Sequence, residues 1–177
     1  MSAKDLGTIR VDLATPDDLS AIREAYAHAR LIQRQQGSTV WPEFSDGAIL
    51  AEINVQRLFR VVDGTLVGIF SVAYEDEAIW GEHERGAHIY LHRIARAPGS
   101  RDARLVDAVL AWARAECRAR GRAGLRMDTW SNNATLIAYY QRLGFDVVAH
   151  RRIEVDPRLP AHYHGTELAL LENACDV

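Results

Sequence analysis

Apolar residues along this chain alternate, recur at helical spacing or run together, and polar turn-forming residues punctuate them, so each block carries its own conformational signal. Residues Thr8 to Ala14 alternate as a first strand. The segment TPDDLSAIREAYAHARLIQ then opens with a helix start: Thr15 can cap, Pro16 suits the first helical position, and Asp18 completes a capping-box spacing. A helix is therefore expected from near Pro16. Residues 35–44, QQGSTVWPEF, break the pattern with Gly37 and Pro42, and Ser45 caps a second short helix through Ala48, Ile49, Leu50 and Ile53. The run LFRVVDGTLVGIFSVAY reads as two strands joined by Asp63-Gly64, a pair that accepts the positive backbone angles of a tight hairpin.

An acidic, aromatic connection, EDEAIWGEHERG, leads into the apolar strand HIYLHRIARA, which ends at Pro98. From Arg101 to Arg120 an apolar stripe of Leu105, Val106, Val109, Leu110, Ala113 and Cys117 lies opposite arginines, as in a helix with one buried face. Leu125 to Thr129 forms the next strand and Asn132 to Leu143 the last helix, which Gly144 stops; Phe145 to Ile153 and Thr166 to Glu172 close the sheet. The unit around the 101–120 helix, strand to helix to strand, requires a parallel crossover. The fold class that follows is α/β (α+β): a mixed, mostly antiparallel central sheet of about seven strands with about four helices on both faces. No repeat, low-complexity tract or linker interrupts residues 1–177, which read as one domain.

A length of 177 residues with 48% hydrophobic content suffices for one domain with a real core. The formal charge of -3, with acids and bases interspersed, argues against a nucleic-acid binder or a polybasic membrane-surface protein, and leaves a small molecule as the expected partner. Cys117 and Cys175 have neither metal-ligand nor redox spacing, which fits a reducing compartment. The amino terminus MSAKDLGTIRVDLA lacks an apolar signal region, and no apolar run approaches the roughly 18 residues of a membrane span. The expectation is a cytoplasmic protein without membrane contact.

The chemistry points to LRMDTWSNNATLIAYYQRLGF, residues 125–145, where a buried strand, a capping pair and an aromatic helix place Asn133 and Tyr140 seven residues apart on one helix face. This wording resembles the cofactor-binding half of the GCN5-related N-acetyltransferases: an Asn, a Tyr seven residues on, then Leu-Gly-Phe. The order of elements resembles that family's fold over nearly the whole chain, including a fourth and fifth strand that splay apart. The resemblance implies acetyl-CoA as acyl donor and transfer of its acetyl group to a primary amine of a small molecule or a protein terminus. It puts Tyr140 beside the sulfur as general acid and Asn133 on the pantetheine arm. It also implies that the strand around Ile94, Ala95 and Arg96 offers main-chain amides to the thioester carbonyl and pantetheine. Dimers are common in the family, so a homodimer is compatible with it.

A pyrophosphate needs donors, and the first turn of a helix presents unpaired N–H groups and partial positive charge. By resemblance that turn is Arg101, Asp102, Ala103, Arg104, Leu105 and Val106. The family writes it Arg/Gln-x-x-Gly-x-Gly/Ala, so Arg104 and Val106 stand where small residues are expected, and Asp102 adds a negative charge. A general base has several candidates: Asp76 first and His92 second, with Glu75, Glu77, His83, Glu84 or a water as others. Trp41, Phe44, Trp80 and Trp130 are candidate walls of an acceptor pocket. The acids of residues 75–84 hint at a cationic acceptor. His162 and His164 share a face of an expected strand, but two histidines without a third ligand make no metal site, and none is assigned. Two other readings stand beside the enzyme: a CoA- or metabolite-binding sensor of the same fold, prompted by Arg104 and Val106, and an interaction domain presenting Trp41 and Phe44.

Overall fold

The structure, a computed structural model, describes residues 9–101 and 104–175; Thr8 of the expected first strand, and Asp102 and Ala103 of the expected phosphate turn, lie outside the described residues. Its elements are β1 (Arg10–Leu13), α1 (Leu19–Gln35), α2 (Asp46–Asn54), β2 (Leu58–Asp63), β3 (Thr65–Ala73), α3 (Glu77–Trp80), β4 (His88–Arg96), α4 (Leu105–Ala119), β5 (Gly124–Trp130), α5 (Ala134–Arg142), β6 (Asp146–Arg152) and β7 (Glu167–Ala174). The sheet has seven strands in the order β1-β2-β3-β4-β5-β7-β6. The β4–β5 pair is parallel, while β1–β2, β2–β3, β5–β7 and β6–β7 are antiparallel, which is the mixed sheet the sequence implies. The parallel register runs from His88 opposite Gly124 to Tyr90 opposite Arg126, and both strands continue beyond it, to Arg96 and Trp130. Two compact units form, one from residues up to Ser71 with Arg93–Ala113, the other from Val72–His92 with the residues from Arg114 on.

In the first unit the helix start lies where the capping signal puts it, but residues Pro16–Asp18 form a 3-10 turn before α1. The Asp18 carboxylate accepts from the Thr15 amide at 2.8 Å and from the Thr15 hydroxyl at 3.0 Å, and pairs with Arg60 at 2.8 Å. Strands β2 and β3 pair through the Asp63–Thr65 turn, with Gly64 at φ 68° and a bulge between Val61 and Val62. A side chain at Gly64 would be strained in that left-handed turn. The core gathers Ile22, Ala25, Tyr26, Ile49, Ile53, Leu58, Ile69 and Ala95, with Trp41 and Phe44 packed against it. Gly68 is required by close packing: a Cβ there would meet the Ala95 carbonyl oxygen at 2.6 Å and the Leu105 methyls at 2.7 and 2.8 Å. The start of α4 is thus seated on β3 by its own Leu105, which is buried. Helix α4 begins at Leu105, four residues later than the sequence suggests.

In the second unit β7 lies between β5 and β6, antiparallel to both, over a core of Ile79, Trp80, Tyr90, Trp130, Ile153, Leu168 and Leu170. The acidic connection is not a plain solvated turn. It folds into α3 and a 3-10 turn at Gly81–His83 that bury Ile79 and Trp80, and no helical periodicity was readable over so short a stretch. Glu84 organises this segment: its Oε1 accepts from the Gly86 and Arg85 amides and the Tyr90 hydroxyl at 2.6 to 2.8 Å, and its Oε2 from the Asp76 amide at 2.8 Å. Beneath it the buried guanidinium of Arg126 lies 4.2 Å from the Trp80 ring, pairs with Glu172 at 2.7 Å and donates to the His83 carbonyl at 2.8 Å.

Candidate active site

Asp76 follows β3, His92 lies on β4 and Asp128 on β5. The fold brings the three side chains together: His92 Nε2 is 3.1 Å from Asp76 Oδ2, and His92 Nδ1 is 3.6 Å from Asp128 Oδ1. All three are shielded, the Asp128 side chain at 7% exposure and Asp76 at 12%. Asp76 is held from its backbone, through the Glu84 carboxylate on its amide and its own carbonyl, which accepts from Trp80 N at 2.8 Å. Its Oδ2 is buried without an aligned hydrogen-bond donor, although Nε2 is close. Burial lifts the Asp128 pKa; the imidazole opposes that and the Asp76 charge adds to it, leaving Asp128 at about 6.

Two carboxylates with an imidazole between them can take up, hold and release a proton near neutral pH, which is the work of a general base. The donor atoms of these residues lie within 4.8 Å of one another, close enough to raise the question of a metal ion. The two carboxylates, however, address opposite nitrogens of the ring. One ring nitrogen and one oxygen from each carboxylate nonetheless lie inside that distance, so the two carboxylates stand close to each other as well as to the ring, and the set offers three protein ligand atoms.

Tyr140 lies on α5, buried, with its ring 5.2 Å from Tyr139 and 5.8 Å from Phe145. Burial, with Tyr139 adding, raises its phenol pKa, so it is a protonated donor at neutral pH. Asn133 is the N-cap of α5, its side-chain oxygen accepting from Leu136 N at 3.1 Å. That capping bond uses one of the oxygen's two lone pairs and fixes the direction of the side chain. Gly144, at φ 91°, ends the helix turn as expected.

The other expected cofactor residues belong to the first unit. Ile94 and Arg96 are half-buried, Ala95 is buried in the core, and Arg101 is exposed. Arg104 pairs with Asp63 at 2.5 Å, Val106 is half-buried, and the Leu105 side chain belongs to the core, so any ligand contact it makes is through its backbone. Within β4 itself Arg93 takes φ 49°, a left-handed angle that a non-glycine residue rarely adopts inside a strand. This distortion is one that the residue types of β4 do not announce. The Arg93 guanidinium pairs with Glu52, donates to Ser71 Oγ at 3.1 Å and lies 4.9 Å from the Phe44 ring.

Several sequence expectations are corrected. Trp80 is fully buried between Tyr90 and Arg126 and walls no pocket. Trp130 packs against Tyr163 in the second core, while Trp41 and Phe44 pack on Tyr26 but stay partly exposed and keep their standing as candidate pocket walls. His162 and His164 share no strand: His162 lies in a 3-10 turn with its ring 4.4 Å from that of Tyr163 and tilted to it, and His164 Nε2 lies 3.0 Å from the Asp156 carbonyl oxygen. Glu84 spends both oxygens on structural hydrogen bonds, and Glu77 reaches Arg158 at 3.1 Å. Sequence reasoning passed over Asp128 and Glu52. For Asp128 a signal existed, a carboxylate inside the apolar run LRMDTW, which a buried strand tolerates only with a partner.

Comparison with known proteins agrees with this architecture. The family model described as acetyltransferase (GNAT) family matches residues 19–145. No curated protein matches the chain. A GNAT-family acetyltransferase from Listeria monocytogenes superposes with a TM-score of 0.73 at 18% identity, covering 94% of each chain. The ribosomal-protein-S18-alanine N-acetyltransferase of Escherichia coli gives 0.64 at 18% identity, over 96% of this chain and 95% of that one. YncA of Salmonella typhimurium, solved with acetyl-CoA, gives 0.65 at 18% identity over 96% and 95%. At such identity the structural likeness speaks for the fold.

Proposed function

Because the chain belongs to the acetyltransferase (GNAT) family, we propose that it transfers the acetyl group of acetyl-CoA to a primary amine of a small molecule or a protein terminus. The observation that carries this reading is the shielded Asp76–His92–Asp128 group, a proton acceptor of the kind an amine nucleophile needs. In the reaction the amine nitrogen bonds to the thioester carbon, and one of its protons passes to His92, with Asp76 beside the accepting nitrogen. The carbon–sulfur bond then breaks, and Tyr140 gives its proton to the departing thiolate.

Use of acetyl-CoA is supported by the family match and by the acetyl-CoA-bound YncA structure. An amine acceptor accords with the E. coli relative, whose own acceptor is an alanine of a ribosomal protein. Incubation with acetyl-CoA and a panel of amines, following free thiol, tests the proposal: release that depends on both substrates is expected. One observation favours a second reading, a CoA-binding sensor of the same fold. Arg104, at the start of α4, is engaged by Asp63 rather than held open for a phosphate. Tight CoA binding with no thiol release on any amine would select it.

A further inference from the structure

Only one nitrogen of an imidazole can take the acceptor's proton, so whatever holds the other nitrogen governs how the ring is aimed and how well it bears charge. Charged groups set against the His92 ring include Asp76, from the segment after β3, and Asp128, from β5. Asp76 is the more exposed of the two and stands at Nε2, while Asp128 is deeper and stands at Nδ1. A carboxylate placed at depth costs stability, and a fold that keeps one in a mostly buried strand has put it against a specific partner.

From this arrangement we infer that Asp128 is a positioning residue: its shielded carboxylate, 3.6 Å from Nδ1, raises the proton affinity of His92 and steadies the imidazolium formed when the acceptor's proton arrives. The inference rests on the reading of His92 as general base and adds the group behind it. At 3.6 Å the pair is a charge contact rather than a short hydrogen bond. The influence of Asp128 is therefore chiefly electrostatic, and an anion this close to a shielded cation shifts its proton affinity by a factor of roughly ten or more.

The test uses the full chain labelled with nitrogen-15 at histidine, without acceptor or CoA, titrated by NMR with the His92 signal identified by its loss in His92→Gln. In Asp128→Asn the proton affinity of His92 is expected to fall about tenfold relative to the wild type, and in Asp128→Glu, which keeps the charge, most of it is retained. Thiol release from acetyl-CoA with the amine panel should fall about a hundredfold in kcat for Asp128→Asn, with KM for acetyl-CoA unchanged and the acid limb of the pH profile moved down. A thermal melt of each variant reports folding independently. An unchanged His92 titration in Asp128→Asn, or turnover at the wild-type kcat, would overturn the inference. Full turnover in His92→Gln would remove the base reading and this inference together. A dead His92→Gln beside an Asp128→Asn that behaves as wild type would overturn this inference alone.

Discussion

Asp76 Oδ2 stands 3.1 Å from His92 Nε2, across a segment that sequence inspection took for an acidic loop and that is in fact pinned by Glu84 and Tyr90. The carboxylate is anchored through its backbone, and its buried Oδ2 faces the ring without an aligned donor. His92→Ala should lower kcat about a hundredfold to ten-thousandfold, and Asp76→Asn by a smaller factor, each with acetyl-CoA affinity preserved. Steady-state kinetics beside calorimetric titration with acetyl-CoA separates the two effects. A loss confined to KM for acetyl-CoA would place these residues in binding instead.

Tyr140 carries the acid role in this mechanism, and its raised phenol pKa keeps its proton available throughout the physiological range. Tyr140→Phe removes the hydroxyl and keeps the ring packed against Phe145. Transfer is expected to slow by about ten- to a thousandfold while CoA binding persists. Equal rates would remove Tyr140 from that role.

Asp128 links catalysis to stability, and the sign of its contribution is opposite to that of an ordinary surface carboxylate. Its folded pKa is raised from 3.8 to about 6, so the folded state holds the proton more tightly than the unfolded chain. The stabilising contribution is present below the unfolded value and is lost as pH rises through about 6. Measured by urea denaturation at several pH values, Asp128→Asn should gain on the wild type by roughly 2–3 kcal/mol between pH 4 and pH 7. A gap that stays constant with pH would show that Asp128 titrates normally.

Arg126 shows a buried charge used for architecture. It joins Glu172, the Tyr90 hydroxyl, the His83 carbonyl and the Trp80 ring. Arg126→Ala leaves Glu172 without this guanidinium and opens space beneath Trp80, at a cost of about 3–5 kcal/mol. Equilibrium unfolding reads it as a lower midpoint with an unchanged slope. A change under 1 kcal/mol would mean that the network repacks around the gap.

The elements that local pattern could reach were legible in advance. Asp63-Gly64 marked the β2–β3 turn, Thr15 and Asp18 marked the start of α1, and Gly144 marked the end of α5. Each depends on residues a few positions apart. What escaped depends on distant partners: α3 is too short for a period to show, and Arg93 and Glu52 lie on different elements 41 positions apart. The same holds for the site. Asp76 and His92 are both candidates for a base from the sequence, but their proximity, and the presence of Asp128 beside the same ring, follow from how distant segments are brought together. The expected phosphate turn was named from resemblance, and the packing of Leu105 on Gly68 and the pairing of Arg104 with Asp63 are tertiary facts no motif contains.

The most direct measurement follows the acyl group itself. The protein is mixed with acetyl-CoA labelled in its acetyl carbon and with the amine panel, and the label is traced from thioester to product. The expected result is label in an acid-stable amide, in step with the free thiol released, and its near disappearance in His92→Ala. Label left in the thioester while CoA binds tightly, or label found only as free acetate, would contradict the assignment of an amine acetyltransferase.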